Sequence, residues 1–362
     1  MKCHEDTLNV NKLDNLKEEI EMKRSLAIVL ALMMLVSMAA CSGSEPATPV
    51  EPDIVVKENT GWKPEDSVEM IIPYSAGGSS DLLGRAVEKV WSKYCDQPLV
   101  ITNMPGGGGV TGSVAIATAK PDGYTIGLAY GSGCDMSMPY LQELEYDPFE
   151  ALDPVCLLSE HTVMVAAPAD SEFNSLSDVV AWAKANNKPI TASVSTANGT
   201  VHLTIEALKT YTGIEMNIVP HDGTAGAIQD LLSGSFMIGA GHPSDVLPYV
   251  QGGQLKLLGV ATDERDSSMP DVPTLKEQGI DFAAYGSIKG VSVPKNMPTE
   301  IKAYYEDLFA KIAADEEFIE TMNNMGQPVM YMNIEEFTQY FADANEFYKI
   351  LIEDLGLAYY QK

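Results

Sequence analysis

Apolar and polar positions along the chain follow two rhythms that take turns. Apolar runs of four to six residues read as buried strands at Met70–Pro73, Leu99–Thr102, Thr125–Ala129, Val163–Ala167, Ile190–Ser195, Met216–Val219, Phe236–Ala240 and Leu257–Ala261. Between many of them the period lengthens to that of a helix. Leu176–Asn186 follows a serine start, and Val201–Thr212 and Ala225–Ser233 follow glycine turns. Strand and helix in alternation predict an α/β protein with mostly parallel sheets, because a parallel pair needs a crossover and a helix supplies it. Past residue 300 the rhythm changes. Ile301–Ala314 and Ile334–Ile352 are long helical patterns. In the second, Ile334, Phe337, Phe341, Ala344, Phe347 and Leu351 recur at steps of three and four, giving one apolar stripe that packs on a core and carries no chemistry.

The N-terminus reads as an export signal. Met22-Lys23-Arg24 is a basic start, Ser25 to Ala40 is almost continuously apolar, and Cys41 closes the stretch. That apolar run is too short to span a bilayer comfortably. Met38-Ala39-Ala40-Cys41 resembles a bacterial lipobox, so residues 22–40 are expected to be a lipoprotein signal peptide and Cys41 its lipid anchor. Residues 1–21 are polar and read as lying upstream of a true start at Met22. Residues 41–61, small, polar and rich in Pro, read as a flexible tether, with folding from about Trp62.

About 300 residues remain, enough for two domains. The sequence is 45% hydrophobic and carries a formal net charge of −28. Five of its 23 basic and six of its 51 acidic side chains precede Cys41, so the rest still holds 18 against 45. A surface of that sign repels nucleic acid and anionic head groups. Of the five cysteines, Cys95, Cys134 and Cys156 fall in the folded part; three widely spaced thiols are no disulfide framework and are expected to be buried and free.

Four turns share one design: each follows a strand, carries small residues and opens a helix. They are Ala76-Gly77-Gly78-Ser79-Ser80-Asp81, Pro105 to Gly112, Ser195-Thr196-Ala197-Asn198-Gly199-Thr200, and His221-Asp222-Gly223-Thr224-Ala225. Ligands of open α/β sheets bind beyond the carboxyl ends of strands, where helix N-termini present unpaired N–H groups and partial positive charge. The four together point to a small anion or polar ligand. Asp81, four residues before Arg85, is positioned to cap the first of these helices and pair with the arginine.

Other chemistries fit less well. Gly107-x-Gly109-x-x-Gly112 matches a dinucleotide fingerprint, but Pro105 breaks its strand side and no acidic residue ends Thr125–Ala129. As a phosphate-binding Walker loop it fails, because Ser113 stands where lysine is required. There is no G-x-S-x-G elbow, and His161, His202, His221 and His242 are scattered singly, without zinc spacing. No enzyme and no cofactor is expected.

IIPYSAGGSSDLLGRAV, NMPGGGGVTG, KPDGYTIGLA, VPHDG, ATDER, PDVPTLKEQG and SVPKNMP, in that order, resemble the solute-binding proteins of tripartite tricarboxylate transporters, the Bug family. The likeness runs from about Trp62 to the C-terminus. It implies a type II periplasmic-binding-protein fold: two α/β lobes joined by crossing strands, with a ligand cleft between them. It implies lobe one at 62–165, lobe two at 166–285 and a return to lobe one at 286–362. It further implies extracytoplasmic capture of a small carboxylate or amino-acid-like ligand by a monomer that delivers it to a two-component membrane permease. The alternative use is a sensor feeding a signalling partner. By the same resemblance, Gly77, Gly78, Ser79 and Ser80 hold the carboxylate with Asp81 in support, and Thr196, Gly199, Thr200 and His202 face them. Tyr74, Ala76, Tyr130 and Ser132 complete the first wall, and Ser195, His221, Asp222, Thr224 and His242 the second. At VPHDG, Asp222 puts a carboxylate on the pocket rim. With few Lys or Arg near the turns, that disfavours a polyanion and favours a monocarboxylate or a zwitterion whose ammonium meets Asp222.

Overall fold

The computed structural model describes residues 61–130, 133–195, 197–221, 224–266 and 269–361. Two sheets organise them. The first contains β1 (Val68–Ile72), β2 (Leu99–Asn103), β3 (Thr125–Tyr130), β4 (Leu152–His161), β10 (Ser287–Pro294) and β11 (Val329–Met332), in the order β11-β4-β10-β3-β1-β2. The second contains β5 (Met164–Pro168), β6 (Ile190–Val194), β7 (Met216–Pro220), β8 (Ile238–Gly241) and β9 (Leu255–Val260), in the order β7-β6-β8-β5-β9.

All eight strands expected from apolar runs are present. Three more, β4, β10 and β11, were not legible as such runs. β10 reads Ser-Ile-Lys-Gly-Val-Ser-Val-Pro, yet all eight residues are buried. It lies between β3 and β4 in the middle of the sheet, so its polar positions are covered as fully as its apolar ones. The expectation of mostly parallel sheets is corrected by the same strands. β1 runs parallel to β2 and β3, and β6 parallel to β7 and β8. β10 is antiparallel to β3 and β4, β11 is antiparallel to β4, and β5 is antiparallel to β8 and β9. Strands that carry the chain from one sheet to the other arrive against the direction set by the βα units.

The helices follow their periodicity. α1 (Ser79–Trp91) buries Leu83, Ala86, Val87, Val90 and Trp91, the residues at steps of three and four, against Met70 and Ile72 of β1. α2 (Val110–Ala117) follows the second glycine turn. On the second sheet lie α3 (Leu176–Asn186), α4 (Thr200–Thr212), α5 (Thr224–Leu232) and α6 (Pro243–Gln251). Ile228, Leu231 and Val246 join Met164 and Val260 in its core. α7 (Thr299–Ala313) and α8 (Glu316–Asn324) return to the first core through Tyr305, Phe309 and Phe318. α9 (Ile334–Asp354) buries Phe337, Phe341, Ala344, Phe347 and Leu351 as its stripe predicts. Each such aromatic or aliphatic side chain contributes about 1.5–3 kcal/mol when fully buried.

The sheets are joined at two adjacent crossings. β4 ends at His161 and β5 begins at Met164; the chain returns into β10 at Ser287. The Gly286 N–H donates to Glu160 Oε1 at 2.6 Å, and the Tyr340 hydroxyl bonds the other oxygen of the same carboxylate. A Cβ on Gly286 would stand 2.5 Å from the His161 carbonyl oxygen, so the two crossing segments lie closer than any side chain allows. Cys95 and Cys156 are buried and free, and burial pushes the Cys156 thiol well above its ordinary range. Among the described residues no helix is long and apolar enough to cross a membrane.

Candidate functional site

The first wall of the site begins where β1 ends. Gly77 takes a left-handed conformation (φ 82°), Gly78 is extended (φ −79°, ψ 169°), and α1 starts at Ser79 with no side-chain cap. The Gly77 N–H donates to Asp81 Oδ2 at 2.9 Å. Asp81 is buried, and Arg85 Nε lies 3.4 Å from its other oxygen. The sequence expectation of amides from Gly77 to Ser80 all facing a ligand is therefore narrowed. The Gly77 amide is tied to Asp81 and the Gly78 amide to Ser75 O at 3.3 Å. The amides of Ser79 and Ser80 are those that helix geometry leaves without a helical partner.

The opposite wall repeats the device. Asn198 is left-handed (φ 65°), Gly199 is extended (φ −77°, ψ 172°), and α4 starts at Thr200 with no side-chain cap. The Asn198 N–H donates to His202 Nδ1 at 2.9 Å, so the imidazole proton sits on Nε2, 3.6 Å from Glu206. Asp81 and His202 occupy the same third helical position and reach back to the same backbone atom. His202 was expected to face the ligand; it fixes the turn instead, because its acceptor nitrogen is committed to Asn198.

Between these walls lies a cavity of about 1120 Å³. Tyr74, Ala76, Gly77, Gly78, Ser79 and Ser80 line it from one side. Ser195, Gly199, Thr200, His221, Thr224 and His242 line it from the other. The structure thus brings together most of the residues picked from sequence. Tyr130 is not among them: it is buried, with its ring 4.5 Å from that of Phe341 and 5.9 Å from that of Phe337. Ser132, Thr196, Asp222 and Cys41 lie outside the described residues. His221 is braced from behind, with Nε2 3.1 Å from Ser193 Oγ and 3.4 Å from Asp230 Oδ2.

Several lining residues were missed by sequence reasoning. Pro105 to Gly109 were recognised as a glycine turn but not assigned to the site. Asp245 belongs to α6, where its Oδ2 accepts the His242 N–H at 3.2 Å. The most consequential is Lys289, in the middle of β10. It is 4% exposed, lines the cavity floor, and donates to Ser80 Oγ at 3.0 Å. Its ammonium stands 5.7 Å from the centre of the Tyr74 ring. In sequence it looked like one polar residue in a weak run; only pairing of β10 between β3 and β4 turns it inward.

Charge in this floor is restrained. Burial and then the nearby Lys289 ammonium push His242 down to about 3, although Nδ1–H donates to the Thr162 carbonyl at 3.1 Å. His161, with its ring 5.5 Å from that of His242, is held well below the ordinary histidine range, first by burial and then by Lys289. Burial raises Asp245 to about 6, against the opposing pull of the His242 amide and Lys289. Near neutral pH His161 and His242 are uncharged, and the Lys289 amine lies in the same floor.

Two helix N-termini without side-chain caps, and Lys289, thus line one cavity, and such termini favour an anion. The family model for the tripartite tricarboxylate transporter family receptor matches residues 83–357. The chain is 32% identical over 295 residues to the UPF0065 protein in the gbd 5′ region of Cupriavidus necator, covering 82% of this chain and 89% of that one. Among solved structures, a TctC solute-binding protein from Polaromonas is 30% identical with a TM-score of 0.64, over 80% of this chain and 99% of that one. The periplasmic binding protein BugD is 25% identical with a TM-score of 0.73, over 82% and 99%. With the family model matching most of the chain, the chain belongs to the tripartite tricarboxylate transporter receptor family, a family of solute-binding proteins.

Proposed function

We propose that the cavity captures a small carboxylate between its two walls and that the protein delivers it to a two-component membrane permease. The observation that carries this reading is the twin turn. Gly78 and Gly199 have nearly the same backbone angles, both helices lack a side-chain cap, and both open onto one cavity. A carboxylate has two acceptor oxygens and suits such amide pairs, which together with the helix dipole favour an anion. Closure of the two walls about the crossings would bury the ligand, as in other hinged binding proteins.

On this reading the chain is exported, anchored through a lipid on Cys41, and works as a monomer on the outer side of the cell membrane. Membrane fractionation of native protein and a Cys41→Ala variant checks the anchor: the variant is expected in the soluble fraction. The binding role is tested by thermal unfolding of residues 42–362 against carboxylates, amino acids and aromatic acids. A ligand at 100 times its Kd adds about 2.7 kcal/mol. For about 300 folded residues that is about 4 °C. A shift with at least one acid supports capture. No shift with any acid, in protein shown by native mass spectrometry to be ligand-free, contradicts it.

A further inference from the structure

From the position of Lys289 we infer that the site selects acids carrying no ammonium group beside the carboxylate, with Lys289 as the specificity-determining residue. This narrows the proposed function and rests on it. Lys289 lies on β10, the strand by which the chain re-enters the first sheet. From there its ammonium reaches Ser80 Oγ at 3.0 Å, at the N-terminus of α1, and it lines the same cavity as His242 and Asp245 of the second wall. A carboxylate seated on the Ser79 and Ser80 amides therefore has a cation beside it, and a charge-assisted contact of that kind is the strong one.

Among the described residues, the carboxylates nearest Lys289 are already engaged. Asp81 receives the Gly77 N–H and pairs with Arg85. Asp245 receives the His242 N–H. His161 and His242 are buried at the same floor, where neutral rings add no charge of their own. In an α-amino acid the ammonium lies one carbon from the carboxylate, so seating the carboxylate here brings two like charges together beside a buried lysine side chain. The competing expectation is a zwitterion whose ammonium meets Asp222, a residue outside those described.

The test is titration calorimetry with succinate, glutarate, butyrate and benzoate, and with glutamate, glycine and alanine as zwitterions. It compares native protein with Lys289→Met and Lys289→Arg, each checked for native circular dichroism and melting. The inference expects at least one simple acid to bind native protein at least tenfold tighter than any amino acid. It expects Lys289→Met to weaken that acid at least tenfold, and Lys289→Arg to keep part of the loss from appearing. Should Lys289→Met fold poorly, the slope of log Kd against log salt for native protein replaces it: marked weakening with salt supports the cation contact, and no salt dependence overturns it. Equal affinity in Lys289→Met, or preferential binding of amino acids, overturns the inference while leaving carboxylate capture intact. Failure of every acid and amino acid to bind native protein overturns the proposed function and this inference with it.

Discussion

Removing the side chain of Asp81 should loosen the first glycine turn before it does anything else. The carboxylate is buried, accepts the Gly77 N–H at 2.9 Å, and faces Arg85 at 3.4 Å. A hydrogen bond to a charged group contributes about 1.5–3 kcal/mol. The Arg85 pair adds only about 0.3–0.5 kcal/mol, since the arginine is largely solvated. Asp81→Ala should therefore cost about 2–3 kcal/mol of stability, or about 3–5 °C in melting. It should also cost affinity, because the ligand must then order a turn that the native protein holds ready. Fixing one residue's backbone costs about 1–2 kcal/mol, which is about 5- to 30-fold in Kd. Asp81→Asn keeps an acceptor for Gly77 and should lie within about threefold of native affinity. His202→Ala tests the same device on the other wall, where the acceptor is neutral and the bond contributes about 0.5–1.5 kcal/mol. Chemical denaturation and calorimetry measure both quantities. If Asp81→Ala loses stability as stated yet binds every ligand as native protein does, the turn is structural and the argument from its amides fails.

Other outcomes follow from the crossings and the buried floor. Gly286→Ala puts a methyl 2.5 Å from the His161 carbonyl; forcing the crossings apart should cost about 1–3 kcal/mol and raise Kd, which denaturation and calorimetry would detect together. For His242 the folded value, about 3, lies below the unfolded 6.5, so its contribution is intact above pH 6.5 and is lost as pH falls toward 3, by at most about 5 kcal/mol. Asp245 acts oppositely: its folded value is about 6 against 3.8 unfolded, so its contribution is complete below pH 3.8 and fades, by about 3 kcal/mol, as pH rises through 6. Urea denaturation at pH 4, 5.5 and 7.5 should show His242→Gln least altered by acid and Asp245→Asn relatively stabilised at pH 7.5; unchanged slopes in both would contradict the burial of charge at the floor.

What the sequence disclosed and what it hid follow from one difference. Strands flanked by helices on a buried face carry continuous apolar runs, so β1, β3, β6 and β8 were legible. β4 and β10 carry Pro154, Lys289 and Gly290, and their strand character comes from long-range pairing across more than a hundred residues. The glycine turns were legible because a left-handed residue before a capless helix leaves its mark in composition. The roles of their third helical residues were not. Asp81 and His202 differ in chemistry, and only the backbone atoms they accept from reveal that they do the same work. Tyr130, carried over from the resemblance, sits at a strand end that α9 covers with Phe337 and Phe341. Lys289 escaped notice because no local pattern marks which side of a mixed central strand faces a cleft.

The most direct measurement is a crystal structure of residues 42–362 with the acid that binds most tightly in the thermal panel. The account predicts carboxylate oxygens within hydrogen-bond reach of the Ser79 and Ser80 amides, with Thr200 and Val201 brought toward the ligand from the other wall. A ligand held away from both helix N-termini would contradict it.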